Sequence, residues 1–189
     1  MNELLEAAVE IQQVAGRYQW QFCFIGGLAL QRWGEPRFTR DVDLTLLTGF
    51  GGEAPYVDRL LSHFSPRRTD ARDFALRYRV LLLLSASGVG LDVALGALPF
   101  EAAAIKRASV FTFAPGYDLL TCSAEDLVIM KSFAARPQDW IDVEGIVIRQ
   151  GAALAVDYVL EQLAPLCEAK DDPAIFPRLR SLLAKHQAG

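Results

Sequence analysis

An Asp-x-Asp pair inside an apolar segment constrains this chain more than any other feature of its sequence. Asp41 and Asp43 flank Val42 in "RDVDLTLL", where the apolar and β-branched residues predict a buried strand. Residues two apart in a strand face the same way, so both carboxylates project from one side, roughly 6–7 Å apart along the backbone. Like charges placed this close beside a core are costly unless a cation lies between them.

A third acid interrupts another apolar strand, since Asp92 lies within "VGLDVALG". Mg²⁺ takes oxygen ligands from one or two carboxylates and completes its shell with substrate phosphates. If the two strands are neighbours, three carboxylates hold two metal ions roughly 3.5–4 Å apart, as in phosphoryl or nucleotidyl transfer. We therefore predict that Asp41, Asp43 and Asp92 are the ligands of two Mg²⁺ ions. The alternatives are salt bridges from the Asp-x-Asp pair to Arg37 and Arg40, and an exposed Asp92 on an edge hairpin.

Gly26 and Gly27 follow the apolar segment "WQFCFI" and open the predicted helix "GLALQRWG". Glycine permits a tight strand-to-helix turn and lets backbone N–H groups approach an anion without a Cβ in the way. The N-terminal end of a helix also attracts phosphate. Taken alone, two glycines indicate only a turn. Before an Asp-x-Asp strand, they indicate a phosphate contact.

The remaining pattern predicts an α+β chain. An amphipathic helix covers residues 2–17, "LRYRVLLLLSA" and "GLDVAL" form a hairpin, and "PFEAAAIKRA" and "SVFTFA" form a helix and a strand. Beyond "PGYDLLT" the pattern is helical, with Ser123 as a helix N-cap and Gly151 as a helix end. These patterns predict an α/β core over residues 1–121 and a C-terminal helical portion over residues 122–189.

Composition excludes several classes of protein. Hydrophobic residues make up 52% and charged residues 22%, which is ordinary globular usage. The net charge of −4 argues against a general nucleic-acid coat, although the basic stretch "SPRRTDARDFALRYR" is either a solvated face or a lane for RNA. No apolar run reaches roughly 18 residues, and the acidic N-terminus is unlike a signal peptide. We expect a cytoplasmic protein with no membrane contact, and three scattered cysteines with neither a disulfide nor a zinc pattern.

These motifs resemble the nucleotidyltransferase superfamily that includes DNA polymerase β, and above all its AbiEii-like branch, the nucleotidyltransferase toxins of bacterial toxin–antitoxin systems. The resemblance runs from "IGGLAL" through "RFTRDVDL" to the later "LDV". It continues in "SAEDLVIMKSFAARPQDWIDV", where a Lys, an Arg and a D-x-x-D helix match Lys131, Arg136, Asp139 and Asp142. Lincosamide nucleotidyltransferases look similar but usually carry His in place of Thr39. Residues 20–150 carry the matches.

The resemblance implies a polymerase-β-like core, a small mixed sheet with flanking helices. It assigns Asp41 and Asp43 to the metals that hold a nucleoside triphosphate. Asp92 would complete the site, either as a metal ligand or as a base acting on the attacking hydroxyl. Gly26 and Gly27 would hold the β- and γ-phosphates.

The resemblance also assigns roles beyond the aspartate triad. Lys131 would lie near the triphosphate, and Asp142, together with Asp139, would position Lys131 or the base. Arg37 and Thr39 would flank the nucleotide pocket. The structural alternative is a solvated lysine on an amphipathic helix and two acids that complement a helix dipole.

The implied function is Mg²⁺-dependent transfer of a nucleoside monophosphate from an NTP, such as ATP, to an acceptor hydroxyl. For a toxin of this type the acceptor would be RNA, including a tRNA end, or a protein, and the partner would be a cognate antitoxin. One alternative is nucleotidylation of a small molecule such as an antibiotic. Another is a non-catalytic module, such as an antitoxin, that binds nucleotide or a partner.

Overall fold

The computed structural model describes residues 2–187, with helices and strands mixed up to Thr121 and helices alone beyond it. The described strands are β1 (Phe22–Phe24), β2 (Asp41–Leu47), β3 (Ser65–Pro66), β4 (Val80–Leu84), β5 (Gly90–Gly96), β6 (Ser109–Ala114) and β7 (Tyr117–Thr121). The described helices are α1 (Asn2–Arg17), α2 (Gly26–Trp33), α3 (Glu53–Leu61), α4 (Ala71–Tyr78), α5 (Pro99–Arg107), α6 (Ala124–Ala134), α7 (Pro137–Gln150), α8 (Val156–Lys170) and α9 (Ile175–Gln187). This order confirms the predicted mixed sheet with flanking helices.

The described chain forms two compact units. The first takes in residues 2–28 and 38–122, and the second takes in residues 29–37 and 123–187. Residues 29–37 lie outside the C-terminal portion that the sequence predicted. Within the second unit, Gln150 on α7 donates a hydrogen bond to the carbonyl of Trp33 (2.7 Å), and a Cβ at Gly34 would lie 2.9 Å from Ile146. Contacts of Trp33 and Gly34 therefore hold this short segment against α7.

Within the described residues, seven strands form one sheet in the order β3-β4-β5-β2-β1-β7-β6. Strand β2 lies between β1, to which it is antiparallel, and β5, to which it is parallel. The predicted hairpin of β4 and β5 is confirmed by their antiparallel pairing. Strands β2 and β5 are neighbours in the sheet although β3 and β4 separate them in the sequence, so their pairing is not evident from the order of elements along the chain.

Alternation along β2 decides which face of the sheet carries charge. Val42, Leu44 and Leu46 are at most 1% exposed and belong to the core that α1 covers, whereas Asp41 and Asp43 are half-buried. Burying a leucine or valine side chain contributes roughly 1.5–3 kcal/mol. Because a one-residue slip would move these side chains to the other face, the core fixes the register that exposes the acids.

Three elements of the first unit escaped prediction, and the shortest of them is the two-residue strand β3. Strand β7 comes from "YDLLT", and it pairs with β6 through a turn that contains Gly116 at φ +85°. Helix α4 lies inside the Arg-rich stretch and buries only Ala71 and Ala75. Two alanines among charged residues give only a weak amphipathic pattern, so the sequence did not predict this helix.

The second unit consists mainly of α6 to α9, with α6 in contact with α7, α8 and α9. The Ser123 hydroxyl accepts a hydrogen bond from the Asp126 N–H (3.2 Å), which confirms the predicted N-cap of α6. Gly151, at φ +51°, ends α7 as expected. No helix among residues 2–187 combines the length and apolar character needed to cross a bilayer.

Candidate active site

Three carboxylates come from neighbouring parallel strands at the middle of the sheet. Asp43 on β2 is the register partner of Asp92 on β5, and Asp41 is the partner of Gly90. Register partners in a sheet share a face, so the three carboxylates project from the same side. The side chains of Asp41 and Asp92 are 46% and 31% exposed. Since β5 lies between β4 and β2, the interpretation of Asp92 as part of an exposed edge hairpin is wrong.

Glycines give these side chains their space. A Cβ at Gly26 would lie 2.6 Å from Cγ of Asp43, and a Cβ at Gly90 would overlap the Asp41 carboxylate. Gly26 also has φ +59°, a conformation that side chains rarely adopt. Gly90 escaped the sequence reasoning, although a glycine within a strand can mark a close approach of other groups.

The end of β1 is fixed beside the acidic strand. The Ile25 N–H donates a hydrogen bond to the Asp43 carbonyl (2.9 Å), and α2 begins at the next residue, Gly26. A Cβ at Gly27 would lie 2.7 Å from Cβ of Thr39, whose hydroxyl donates to the Asp41 carbonyl (3.3 Å). The first N–H groups of a helix have no partner within the helix. The two glycines predicted to contact phosphate therefore lie in the first unit, with Gly26 against the Asp43 side chain.

A cation already contacts two of the three carboxylates. Nη2 of Arg67 donates a hydrogen bond to Oδ1 of Asp92, and Nη1 lies 3.7 Å from Oδ1 of Asp41. The Arg67 side chain is 27% exposed. Sequence reasoning placed this arginine with a solvated face or an RNA lane, and no local signal separates it from its neighbours. By contrast, two other arginines of this stretch form exposed ion pairs, Arg68 with Asp70 and Arg72 with Asp58.

The chemistry of this donor set fits a hard divalent cation. Carboxylate oxygens are what Mg²⁺ and Mn²⁺ prefer, and the shared face with its glycine-lined space leaves them accessible. In the described part of the chain, however, no group of three or more His, Cys, Asp or Glu side chains is placed so that it could hold a metal ion. The positive charge beside Asp41 and Asp92 comes instead from the guanidinium group of Arg67.

The predicted residues of the second unit form a separate ionic network. Nζ of Lys131 lies 2.6 Å from Oδ2 of Asp142 and 3.4 Å from Oδ1 of Asp139. The three side chains are only 7%, 3% and 4% exposed. The solvated-lysine alternative is therefore wrong for Lys131. A lysine buried to this degree requires paired carboxylates.

Asp142 is the hub of this network. Nε and Nη2 of Arg37 each lie 3.0 Å from its carboxylate oxygens, and Nε2 of Gln138 donates to Oδ1 (3.1 Å). Burial raises the pKa of Asp142, but hydrogen bonds from Arg37, Lys131 and Gln138 outweigh it and leave the pKa below its ordinary value. Asp142 is thus held as a carboxylate at neutral pH.

Asp139 serves both this network and the start of α7. Its carboxylate accepts hydrogen bonds from the backbone N–H of Arg136 (3.3 Å) and from Nε of the same residue (2.7 Å). Pro137 occupies the first helical position, where its missing N–H costs nothing. An acid in this first turn also complements the helix dipole.

Solved structures similar to this chain show its fold. The antibiotic-resistance factor ANT(2'')-Ia is 18% identical, with a TM-score of 0.52, and the match covers 100% of this chain and 99% of that one. An antigenic nucleotidyltransferase-like protein from Paracoccidioides brasiliensis is 17% identical, with a TM-score of 0.51 and coverage of 97% and 93%. The lincosamide antibiotic adenylyltransferase LnuA, bound to lincomycin, is 13% identical, with a TM-score of 0.50 and coverage of 75% and 94%. The fold is that of the polymerase-β-like nucleotidyltransferases.

The family follows from the sequence itself. The family model described as "Nucleotidyl transferase AbiEii toxin, Type IV TA system" matches residues 13–184. Since this match covers most of the chain, the protein belongs to the AbiEii nucleotidyltransferase toxin family. Comparison with curated proteins gives no match. The resemblance read from the Gly-Gly and Asp-x-Asp motifs is confirmed.

Proposed function

We propose that this protein transfers a nucleoside monophosphate from an NTP to an acceptor hydroxyl of RNA, such as a tRNA end, or of a protein. The observation that supports this most strongly is the row of carboxylates on β2 and β5. Asp43 directly opposes Asp92, Asp41 shares their face, and Gly26 lies against Asp43. Two acids in a buried strand are costly for folding, and a bound cation would offset that cost.

Asp41, Asp43 and Asp92 would hold the divalent metal, for which Mg²⁺ is our proposal. When bound, Mg²⁺ supplies positive charge that neutralises phosphate oxygens and stabilises charge that develops on them during transfer. Gly26 and Gly27 would bind the β- and γ-phosphates through backbone N–H groups at the start of α2.

The transfer balances without any further reactant. The acceptor hydroxyl oxygen forms a bond to the α-phosphorus, and the bond from that phosphorus to the bridging oxygen breaks, which releases pyrophosphate. The hydroxyl proton passes to Asp92 or to water. Asp92 is suited to this step because its carboxylate remains 31% exposed on an interior strand.

The proposal also gives roles to residues outside the carboxylate row. Arg37 and Lys131 would serve the triphosphate, and Asp142 would position both, since it contacts both cationic groups. Thr39, in the first unit, would flank the nucleotide. A side chain that contacts the triphosphate affects the KM for NTP. We therefore expect Arg37→Lys to raise that KM without removing turnover.

The family supports a toxin role, with a cognate antitoxin protein as partner. That role is our reason for proposing a macromolecular acceptor. Among solved structures, ANT(2'')-Ia is known in complex with adenylyl-2''-tobramycin. Nucleotidylation of a small molecule is therefore an outcome that the experiment must be able to detect.

The test is a label-transfer assay. Purified protein is incubated with each α-labelled NTP, Mg²⁺ and total cell extract, and the products are separated into RNA, protein and small molecules. We expect label in RNA or protein for the wild type, and at least about a thousandfold less for Asp43→Asn. The matched control is Asp73→Asn, an exposed acid on α4, which should transfer label normally.

Each contrary outcome identifies a different error. Label only in the small-molecule fraction would replace the macromolecular acceptor with a small one. Full transfer by Asp43→Asn would contradict the carboxylate site. Mg²⁺-dependent NTP binding with no transfer to any fraction would favour a non-catalytic binding module.

A further inference from the structure

We propose that Arg67 is the resident cation of the Asp41–Asp92 pair, and that a divalent metal ion enters this pair only by displacing its guanidinium group. This inference rests on the proposed function, because it takes these carboxylates to be metal ligands. It assigns a role to a residue that neither the motif nor the family match singles out.

The backbone fixes Arg67 where its side chain must reach the carboxylates. The Arg67 N–H donates a hydrogen bond to the carbonyl of Leu82 (3.0 Å), and Leu82 is the register partner of Asp92. Strand β4 therefore lies between the Arg67 backbone and Asp92, and the Arg67 side chain extends across β4. Its guanidinium ends against Oδ1 of Asp92 and Oδ1 of Asp41, on β5 and β2.

Gly90 keeps open the space that this arrangement needs. A Cβ at this position would overlap the Asp41 carboxylate and would lie 3.1 Å from Nη1 of Arg67. The guanidinium is not sealed in this space, because the Arg67 side chain is 27% exposed and that of Asp41 is 46% exposed. The group can therefore leave toward solvent without disturbing the core.

Charge explains why the guanidinium and the metal ion exclude each other. Three carboxylates on one face repel one another, and Arg67 relieves that repulsion while no metal is bound. A metal ion that binds the same Oδ1 atoms of Asp41 and Asp92 needs the position that the guanidinium occupies. Metal affinity is consequently lowered by the free energy with which Arg67 holds the pair.

The experiment measures metal binding without turnover. Mn²⁺ is titrated into the full-length protein without nucleotide, and free Mn²⁺ is followed by electron paramagnetic resonance. We expect Arg67→Gln to bind Mn²⁺ about tenfold more tightly than the wild type, as expected when charge-assisted hydrogen bonds no longer compete. Arg67→Lys should lie between the two. Arg68→Gln is the matched control, since it removes the neighbouring arginine and should leave the affinity unchanged.

Thermal unfolding separates this role from a merely structural one. Without metal, Arg67→Gln should melt below the wild type, and saturating Mn²⁺ should narrow or close that gap. Equal or weaker Mn²⁺ binding by Arg67→Gln would overturn the inference. Wild-type Mn²⁺ binding that Asp43→Asn leaves intact would instead contradict the carboxylate site on which the proposed function rests.

Discussion

Two ionic clusters of this protein contain similar groups in opposite surroundings. In the first unit, Asp41 and Asp92 are 46% and 31% exposed and share one arginine. In the second unit, Asp139 and Asp142 are 4% and 3% exposed and contact lysine and arginine side chains at 2.6–3.4 Å. Burial with paired cations holds the second cluster in place, whereas the partial exposure of Asp41 and Asp92 leaves their carboxylates within reach of a ligand from solvent.

The free-energy consequences of the two arrangements differ accordingly. Removing one partner from a buried ion pair leaves an uncompensated charge and destabilises a protein by about 3–5 kcal/mol. Removing an acid from a half-exposed group of like charges relieves repulsion and costs little. Substitutions in the second-unit cluster should therefore lower the free energy of unfolding more than substitutions of Asp41 or Asp92 do.

The largest effect on stability is expected for Lys131→Met. This change leaves Asp139 and Asp142 buried without their shared lysine, so the free energy of unfolding should fall by about 3 kcal/mol in urea titrations. The matched control is Lys185→Met in the same unit. Because the Lys185 side chain is 67% exposed in its ion pair with Glu144, we expect almost no loss of stability. Equal losses for both variants would remove the distinction between the clusters.

A smaller effect is expected for Gly26→Ala. The new Cβ meets Asp43, and φ of +59° is unfavourable for alanine, so we expect a loss of about 1–3 kcal/mol. Gly88→Ala is the matched control, because it has φ +85° but no atom within 4 Å of the added Cβ. Its loss should be about 1 kcal/mol, from backbone conformation alone. If both variants unfold identically, the close approach of Gly26 to Asp43 has no energetic weight.

The smallest effect concerns pH and Asp142. Because its pKa is lowered in the folded protein, this group stabilises the fold above the ordinary aspartate pKa of about 4. That contribution disappears as pH falls from about 4 through the lower folded value. The stability gap between wild type and Asp142→Asn should therefore narrow between about pH 5 and pH 3 in urea titrations. A gap that widens on acidification would contradict the lowered pKa.

The sequence revealed the local features of both clusters. Alternation around Val42 indicated the strand and the shared side of Asp41 and Asp43, because strand period is a local property. Caps and glycines marked helix boundaries at Ser123 and Gly151 in the same way. The Lys–Arg–D-x-x-D spacing indicated which residues belong together, through resemblance rather than through physics.

Contacts between distant segments were beyond sequence reasoning. Arg67 and Gly90 reach Asp41 only because the sheet order places β4, β5 and β2 side by side. The burial of Lys131 likewise depends on how α6 and α7 pack, which its amphipathic pattern does not reveal. These residues became visible only once the tertiary structure placed them.

The most direct test of the carboxylate site is calorimetric titration of a non-hydrolysable NTP analogue. The titration compares the wild type with Asp41→Asn/Asp43→Asn, in Mg²⁺ and in EDTA. Binding should require both Mg²⁺ and the two aspartates, and the affinity should fall at least about a hundredfold when either is removed. Equal affinity in EDTA, or in the doubly substituted protein, would contradict the assignment of these strands to metal-dependent nucleotide binding.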